Sequence, residues 1–164
     1  MSQGEDDGQA APEAEIEARL WDRPGFLIRR LHQIHVALFL EECRGFDVTP
    51  VQYAVLTALA IAPGRDQITL ARDAGIDRTN VADVLKRLAQ RGLIERRRGD
   101  ADRRVRLAYL TQEGAALTAR MEAAMLRAQD RLVAPLSEPD RTRLMRSLAA
   151  LVAANNEFSR APTR

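Results

Sequence analysis

Side chains suited to hydrogen bonding with nucleic acid are concentrated between Asp77 and Thr111. Ten basic and four acidic residues from Arg78 to Arg106 give this region a local net charge of +6. Asparagine and arginine have the bidentate geometry that matches the edges of adenine and guanine, and arginine also binds phosphate. One side of the predicted helix in this region carries the polar residues Thr79, Asn80, Asp83, Lys86, Arg87 and Gln90.

The helix that would carry these side chains has an apolar stripe on its other side. Asp77 is placed to cap its first turn, and Gly92 suits the left-handed residue that follows a helix end. The stripe has the spacing of one helix face and indicates packing against a core. It consists of Val81, Val84, Leu85 and Leu88.

After Gly92 the hydrophobic period changes to two residues, which is typical of strands. The residues from Gly99 to Asp102 supply a polar turn between two strands rich in arginine. In the second strand two sets of residues alternate: Val105, Leu107 and Tyr109 with Arg104, Arg106 and Ala108.

A short helix from Asp66 to Gly75 precedes the polar helix and is joined to it by a tight turn that contains glycine. Two such helices form a helix-turn-helix, and the hairpin after them makes a winged helix. The second helix fits the major groove of DNA, while arginines of the hairpin reach phosphates and the narrower groove. An ordinary amphipathic helix with a solvated hairpin is the alternative that needs no DNA.

The remaining segments predict further helices, so the fold class is mainly α with a small β wing. The helices cover about 24–43, 50–62, 112–133 and 138–155, and the apolar second one is expected to be buried nearly all round. Thr49 and Gln52 form a capping box at its start. We predict a disordered acidic arm over residues 1–20 and one domain over 21–160. In that domain, 49–111 forms the winged helix-turn-helix lobe and 21–48 with 112–160 the dimerisation helices.

The terminal helices carry more apolar surface than a small winged helix needs for cover. In the first helix two adjacent stripes run along the same broad face: Leu27, Leu31, Ile34 and Leu38, and Ile28, His32, His35, Phe39 and Cys43. A symmetric homodimer explains the excess and presents two reading helices to a two-fold DNA site. A monomer whose core these helices complete is the alternative.

Composition excludes several other classes of protein. The chain has 164 residues, of which 46% are hydrophobic and 29% charged, and its net charge is +2. No apolar run approaches the roughly 20 residues of a membrane span, and no leader is recognisable, so we expect a cytoplasmic protein. Cys43 is the single cysteine, which excludes an internal disulfide. No phosphate loop, nucleophile elbow or catalytic carboxylate pair is present, so we expect no enzyme.

Two runs resemble the multiple antibiotic resistance regulator (MarR) family of winged helix-turn-helix proteins. They are LARDAGIDRTNVADVLKRLAQRGLIERR (70–97) and DADRRVRLAYLTQEG (100–114), and the match extends over about 24–155. The resemblance implies a homodimeric transcription factor, often a repressor, that binds double-stranded DNA and is released by a small molecule. It also assigns roles in the wing: Asp102 braces it, Arg104 enters the minor groove, and Arg98 and Arg103 contact phosphate.

On the reading helix the resemblance places Thr79, Asn80 and Arg87 at the major groove. Asp83 departs from this pattern, because a carboxylate repels phosphate. It either accepts a hydrogen bond from a cytosine amino group or pairs with Arg87.

The resemblance places an effector site between the first, second and fifth helices. The run RRLHQIHVALFLEEC (29–43) loosely resembles regulators of aromatic-compound breakdown, whose ligands are aromatic acids or their coenzyme A thioesters. Histidines and arginines beside aromatic rings suit an anionic aromatic ligand. The predicted effector contacts are Arg29, Arg30, His32, His35, Phe39 and Tyr53.

His32 and His35 stand one helical turn apart, as pairs of metal ligands do. Cys43 lies eight residues beyond His35, roughly 12 Å along a helix, which is too far to share one ion. We therefore predict no metal and no cofactor. Cys43 is predicted to be a structural thiol, with a redox-sensing regulator as the alternative. A winged-helix module for protein interaction, without sequence-specific DNA binding, is the alternative from another class.

Overall fold

The computed structural model describes residues 20–99 and 104–159. The helices are α1 (Pro24–Glu42), α2 (Pro50–Ile61), α3 (Gln67–Asp73), α4 (Arg78–Gln90), α5 (Gln112–Val133) and α6 (Glu138–Ala154). The strands are β1 (Arg65–Asp66), β2 (Ile94–Arg98) and β3 (Arg106–Leu110), and a 3-10 turn follows α6 at Asn156–Phe158. The predicted fold class, mainly α with a small β wing, is confirmed.

Short-range capping fixes where these helices begin. The main-chain N–H of Gln52 donates to Thr49 Oγ1 at 3.2 Å, and the main-chain N–H of Thr49 donates to Gln52 Oε1 at 3.0 Å. This is the predicted capping box. Thr111 caps α5 in the same way by accepting from the N–H of Gly114 at 3.0 Å. Each cap satisfies a donor that the first helical turn leaves without a partner.

The sheet has a third strand that the sequence did not predict. Its order is β1-β3-β2, with both pairings antiparallel, so the wing hairpin (residues 94–110) gains a short outer strand just before α3. The strand predicted from Arg104 begins at Arg106, and its fully buried residue is Ala108. Arg65 and Arg96 both stand opposite Ala108, one on each side.

The core lies where α2, α3, α4 and α5 meet the base of the sheet. Among its completely buried side chains are Leu56, Leu70, Leu85 and Met121. The expectation that α2 is buried nearly all round is wrong, because Ile61 is 80% exposed. One side of α2 packs against the other elements, while its opposite side faces solvent in the protomer.

The terminal helices leave much of their apolar surface uncovered. The end of α1 packs on α5, and Glu42 receives hydrogen bonds from Arg127 at 2.9 Å and Arg131 at 2.8 Å; Phe39 is buried in this part of α1. The beginning of α1 exposes Leu27 and Ile28, and no residue of α6 is buried. The predicted excess of apolar surface is therefore present in the folded protomer.

Candidate nucleic-acid interface

The helix-turn-helix is built by α3, a short turn and α4. Gly75 has a φ of 63° in this turn, a conformation that glycine adopts without steric cost. The main-chain N–H of Ile76 then donates to the carbonyl oxygen of Ala71 at 2.8 Å, and the Ile76 side chain is buried. Asp77 accepts from the N–H of Thr79 at 3.1 Å and starts α4. These local bonds fix the angle between the two helices.

The face of α4 away from the core is polar, as the sequence predicted. Val81, Leu85 and Leu88 are buried beneath it. The polar residues predicted on the other side are all exposed: Thr79, Asn80, Asp83, Lys86, Arg87 and Gln90. Their side chains are therefore accessible to a macromolecule that docks on α4.

Two of these side chains are already oriented by neighbours. The hydroxyl of Thr79 donates to Asp77 Oδ1 at 3.0 Å, so its oxygen remains available as an acceptor. Arg87 Nε lies 2.8 Å from Asp83 Oδ2, one helical turn away. This ion pair is one of the two roles predicted for Asp83, and it holds Arg87 along the surface of α4.

The wing presents arginines beside α4. Arg98 and Arg104 are exposed at its outer end, whereas Asp102 and Arg103 lie outside the described residues. Arg97 is exposed but held against the surface of the wing, because its guanidinium pairs with Glu95 and lies over the Tyr109 ring, 4.8 Å from the centroid. Arg97 therefore braces the hairpin.

Sequence patterns missed an arginine-lined cleft between the wing and α3. It has a volume of about 680 Å³, and its lining includes Arg72, Arg96, Arg104 and Arg106. Arg72 belongs to a helix and the others to the wing, so these residues share no sequence period. The only signal was the general excess of arginine in this part of the chain. We call this feature the wing cleft.

The predicted effector residues fall in two places. Arg29, Arg30 and His32 are exposed on the first part of α1, and the His32 and His35 ring centroids lie 6.4 Å apart. Partial burial lowers the pKa of His35, and the charge of neighbouring His32 lowers it further. Both effects favour the neutral form of His35.

Phe39 and Tyr53 lie deeper, with ring centroids 6.0 Å apart. Tyr53 also lines a pocket of about 500 Å³ between α2, β3 and α5, which the other five predicted effector residues do not line. The Thr57 hydroxyl in this pocket is buried and has no hydrogen-bond partner. A ligand in this pocket would supply a hydrogen-bond partner for the Thr57 hydroxyl, so the pocket is a second candidate effector site.

Cys43 is buried at the end of α1. Burial, and then the charge of Glu42, raises the pKa of its thiol, which reduces the fraction of reactive thiolate. Within residues 20–99 and 104–159 no three histidine, cysteine or acidic side chains form a group that could hold a metal ion. No helix in this part of the chain is both long and apolar enough to span a membrane.

A helix-turn-helix with an exposed polar second helix and a basic wing defines a winged-helix protein of the nucleic-acid-binding type. The sequence profile of the MarR family matches residues 46–105. The PcaV transcriptional regulator from Streptomyces coelicolor, solved with its natural ligand, is 34% identical with a TM-score of 0.77. That match covers 89% of this chain and 99% of PcaV. The chain belongs to the MarR family.

Two further relatives indicate the range of this similarity. Transcriptional regulator HosA of Escherichia coli is 39% identical over 87 residues, which is 53% of this chain. The match spans 63% of the length of HosA. BpsR of Bordetella bronchiseptica, whose DNA binding is regulated by 6-hydroxynicotinic acid, is 28% identical with a TM-score of 0.76. That match covers 79% of this chain and 93% of BpsR.

Proposed function

We propose that this protein is a ligand-responsive regulator of transcription, a repressor that binds a palindromic operator as a homodimer. The observation that carries the proposal is the exposed polar face of α4 beside a basic wing. A helix of this kind presents hydrogen-bonding side chains to base edges, while arginines of the wing reach the backbone and the adjacent groove. Membership of a family that includes transcriptional regulators supports this role.

The proposed DNA contacts fall into two kinds. On α4, Thr79, Asn80 and Arg87 would face base edges, and Lys86 would contact phosphate. Asp83 would act by holding Arg87 in place. In the wing, Arg104 would enter the minor groove and Arg98 would contact the backbone. Asp102 and Arg103 keep the roles proposed from the family resemblance.

Two substitutions are expected to separate these kinds of contact. Asn80→Ala should relax base preference at one or two operator positions, at about 1–3 kcal/mol each, because amide hydrogen bonds to a base are lost. Arg104→Ala should weaken binding to all sequences and flatten the salt dependence, because it removes a contact made to groove shape and charge. Selection of binding sites from random duplexes, followed by anisotropy titrations over a salt series, measures both.

Gln129→Ala is the matched control, because it removes an exposed amide from α5, outside α4 and the wing. An unchanged selected-site profile for Asn80→Ala would show that α4 does not read bases through this face. A wild-type protein that enriches no sequence would instead favour a winged-helix module for protein interaction.

We propose that the effector is an anionic aromatic molecule, an aromatic acid or its coenzyme A thioester. The regulation of BpsR by 6-hydroxynicotinic acid supports this class of ligand. Arg29 and Arg30 would supply charge for a carboxylate, His32 and His35 hydrogen bonds, and Phe39 and Tyr53 apolar walls. The ligand can shift the protein from a DNA-binding to a non-binding state only through its different affinity for the two, typically 1–3 kcal/mol.

The effector site can be located with two single substitutions. We expect His35→Ala to weaken the releasing ligand about tenfold or more, because a hydrogen bond to an anion is lost. Thr57→Val keeps the shape of the pocket between α2, β3 and α5 but removes its unpartnered hydroxyl, and should leave the ligand's affinity unchanged. A thermal-shift and DNA-release screen of aromatic acids and their thioesters provides the measurement. The reverse result would move the effector site to that pocket.

A further inference from the structure

The wing cleft is organised by the register of the three-stranded sheet. Arg65 of β1 and Arg96 of β2 both stand opposite Ala108 of β3, so the three residues form one row across the sheet. Residues directly opposite each other in neighbouring strands project from the same face. The two arginines therefore flank buried Ala108, and of the two it is Arg96 that lines the wing cleft.

Among the described residues that line the wing cleft, arginines outnumber acidic residues. Asp66 is the acidic residue in its lining, and its carboxylate is already engaged in starting α3. It accepts from the main-chain N–H groups of Ile68 at 2.8 Å and Thr69 at 2.9 Å, and from the Thr69 hydroxyl at 2.9 Å. Four arginines line the same cleft, Arg72, Arg96, Arg104 and Arg106, and of these Arg72 pairs with Asp73 through its Nε at 3.4 Å.

Arg96 also has a hydrogen-bond donor without an acceptor. Its Nε is buried and has no hydrogen-bond partner, and its guanidinium forms no ion pair within the described residues. Arg65 Nε is also buried without a hydrogen-bond partner, but its guanidinium forms an ion pair with Asp73 at 3.9 Å, which Arg96 lacks. A buried charged donor without an acceptor is costly, and like charges held together raise the cost. An anion supplied from outside the chain would remove both penalties.

We propose that the wing cleft is a phosphate-binding site, centred on Arg96 and completed by Arg72 and Arg106, and that DNA backbone supplies the phosphate. Guanidinium groups bind phosphate oxygens through paired, charge-assisted hydrogen bonds, and several can share one phosphate. This inference rests on the proposed function. It adds a site to the proposed DNA contacts, because none of Arg72, Arg96 and Arg106 is among them.

The position of the cleft suits a phosphodiester. When α4 occupies a major groove and the wing enters the neighbouring minor groove, one sugar-phosphate strand separates the two grooves. The wing cleft lies between the wing and α3, the first helix of the helix-turn-helix, and we expect that strand to pass it. A phosphate bound there would fix the position of the wing relative to α4 and would carry no sequence information itself.

The experiment compares wild type with Arg96→Met, which keeps the length and apolar stem of the side chain but removes its charge and donors. The control is Arg146→Met, which removes the same charge from an exposed position on α6. Anisotropy titrations with a selected duplex and a random duplex, over a salt series, give affinities and salt slopes. We expect Arg96→Met to weaken both duplexes about tenfold and to reduce the slope by about 0.9, the value for one lost phosphate contact.

A second arm identifies the phosphate. Single methylphosphonate substitutions remove the charge of one backbone position at a time. One position in each half-site should weaken wild type and Arg146→Met but leave Arg96→Met unaffected. Arg96→Lys, which retains the charge but not the planar guanidinium, should keep most of the salt slope while losing part of the affinity. Circular dichroism and thermal unfolding establish that each variant is folded.

Failure of this inference differs from failure of the proposed function. If wild type binds the duplexes and folded Arg96→Met has the same salt slope and the same methylphosphonate profile, backbone binding in the cleft is wrong. If wild type binds no duplex, the proposed function is wrong, and titration of wild type and Arg96→Met with inorganic pyrophosphate decides the site. Stabilisation that depends on Arg96 would then assign the cleft to a free phosphate compound, and its absence would overturn the site altogether.

Discussion

Leu151→Glu combined with Val152→Glu is expected to dissociate the dimer and to reduce operator affinity by a factor of 100 or more. Leu151 is 55% exposed and Val152 62% exposed in the protomer, on a helix that buries none of its residues. Two carboxylates in an apolar interface would have to be desolvated without partners, which strongly disfavours association. A monomer then binds half-sites separately and loses the gain of 10²–10⁴ that linked binding sites provide.

Sedimentation equilibrium at micromolar concentration, with and without operator DNA, measures this effect. Ala150→Glu is the control. Leu148 shares one face of α6 with Leu151 and Val152 by helical spacing, and Ala150 lies on the opposite side and is also exposed. The control should remain dimeric and bind DNA normally. A double glutamate variant that still sediments as a dimer would place the interface away from the end of α6. A wild-type monomer, free and on DNA, would remove the homodimer from the proposed function.

Gly114→Ala is expected to lower the free energy of unfolding by about 3 kcal/mol, the upper part of the range for overpacked sites. Gly114 lies in the first turn of α5, where its buried backbone packs against Leu93 at the start of the wing. A Cβ atom added there would lie 1.9 Å from the carbonyl oxygen of Leu93. That oxygen already accepts from the N–H of Thr111 at 3.1 Å, so it cannot move without breaking this bond.

Urea denaturation followed by circular dichroism gives the change in free energy, and Gly25→Ala serves as the control. Gly25 also lies in the first turn of a helix, α1, but a Cβ added there would meet no atom within 4 Å. The control should be neutral or stabilised by roughly 0.5–1 kcal/mol, because alanine restricts the unfolded chain. Equal effects of the two substitutions would mean that the close contact between α5 and the wing is not present in solution.

The local structure of the reading helix followed from the sequence because its determinants act over a few residues. Asp77 caps α4, and Val81, Leu85 and Leu88 turn inward, as predicted. Gly92 has the predicted left-handed conformation, with a φ of 69°. Capping bonds and helical periodicity each connect residues that are close in the chain. The same reasoning identified which side of α4 is polar, although its contacts with DNA stay a prediction.

Tertiary structure alone decided the relations between distant segments. Strand β1 could not be predicted from the sequence, because two residues show no period. Only pairing with β3, some forty residues later, makes them a strand. That pairing places Arg65 and Arg96 in one row across Ala108 and brings Asp66 of β1 into the lining of the wing cleft. Likewise, the outward side of α2 became apparent only when its neighbours were in place. Hydrophobic periodicity indicates which residues share a face of a helix or strand. The register between strands and the packing of helices determine which other residues that face contacts.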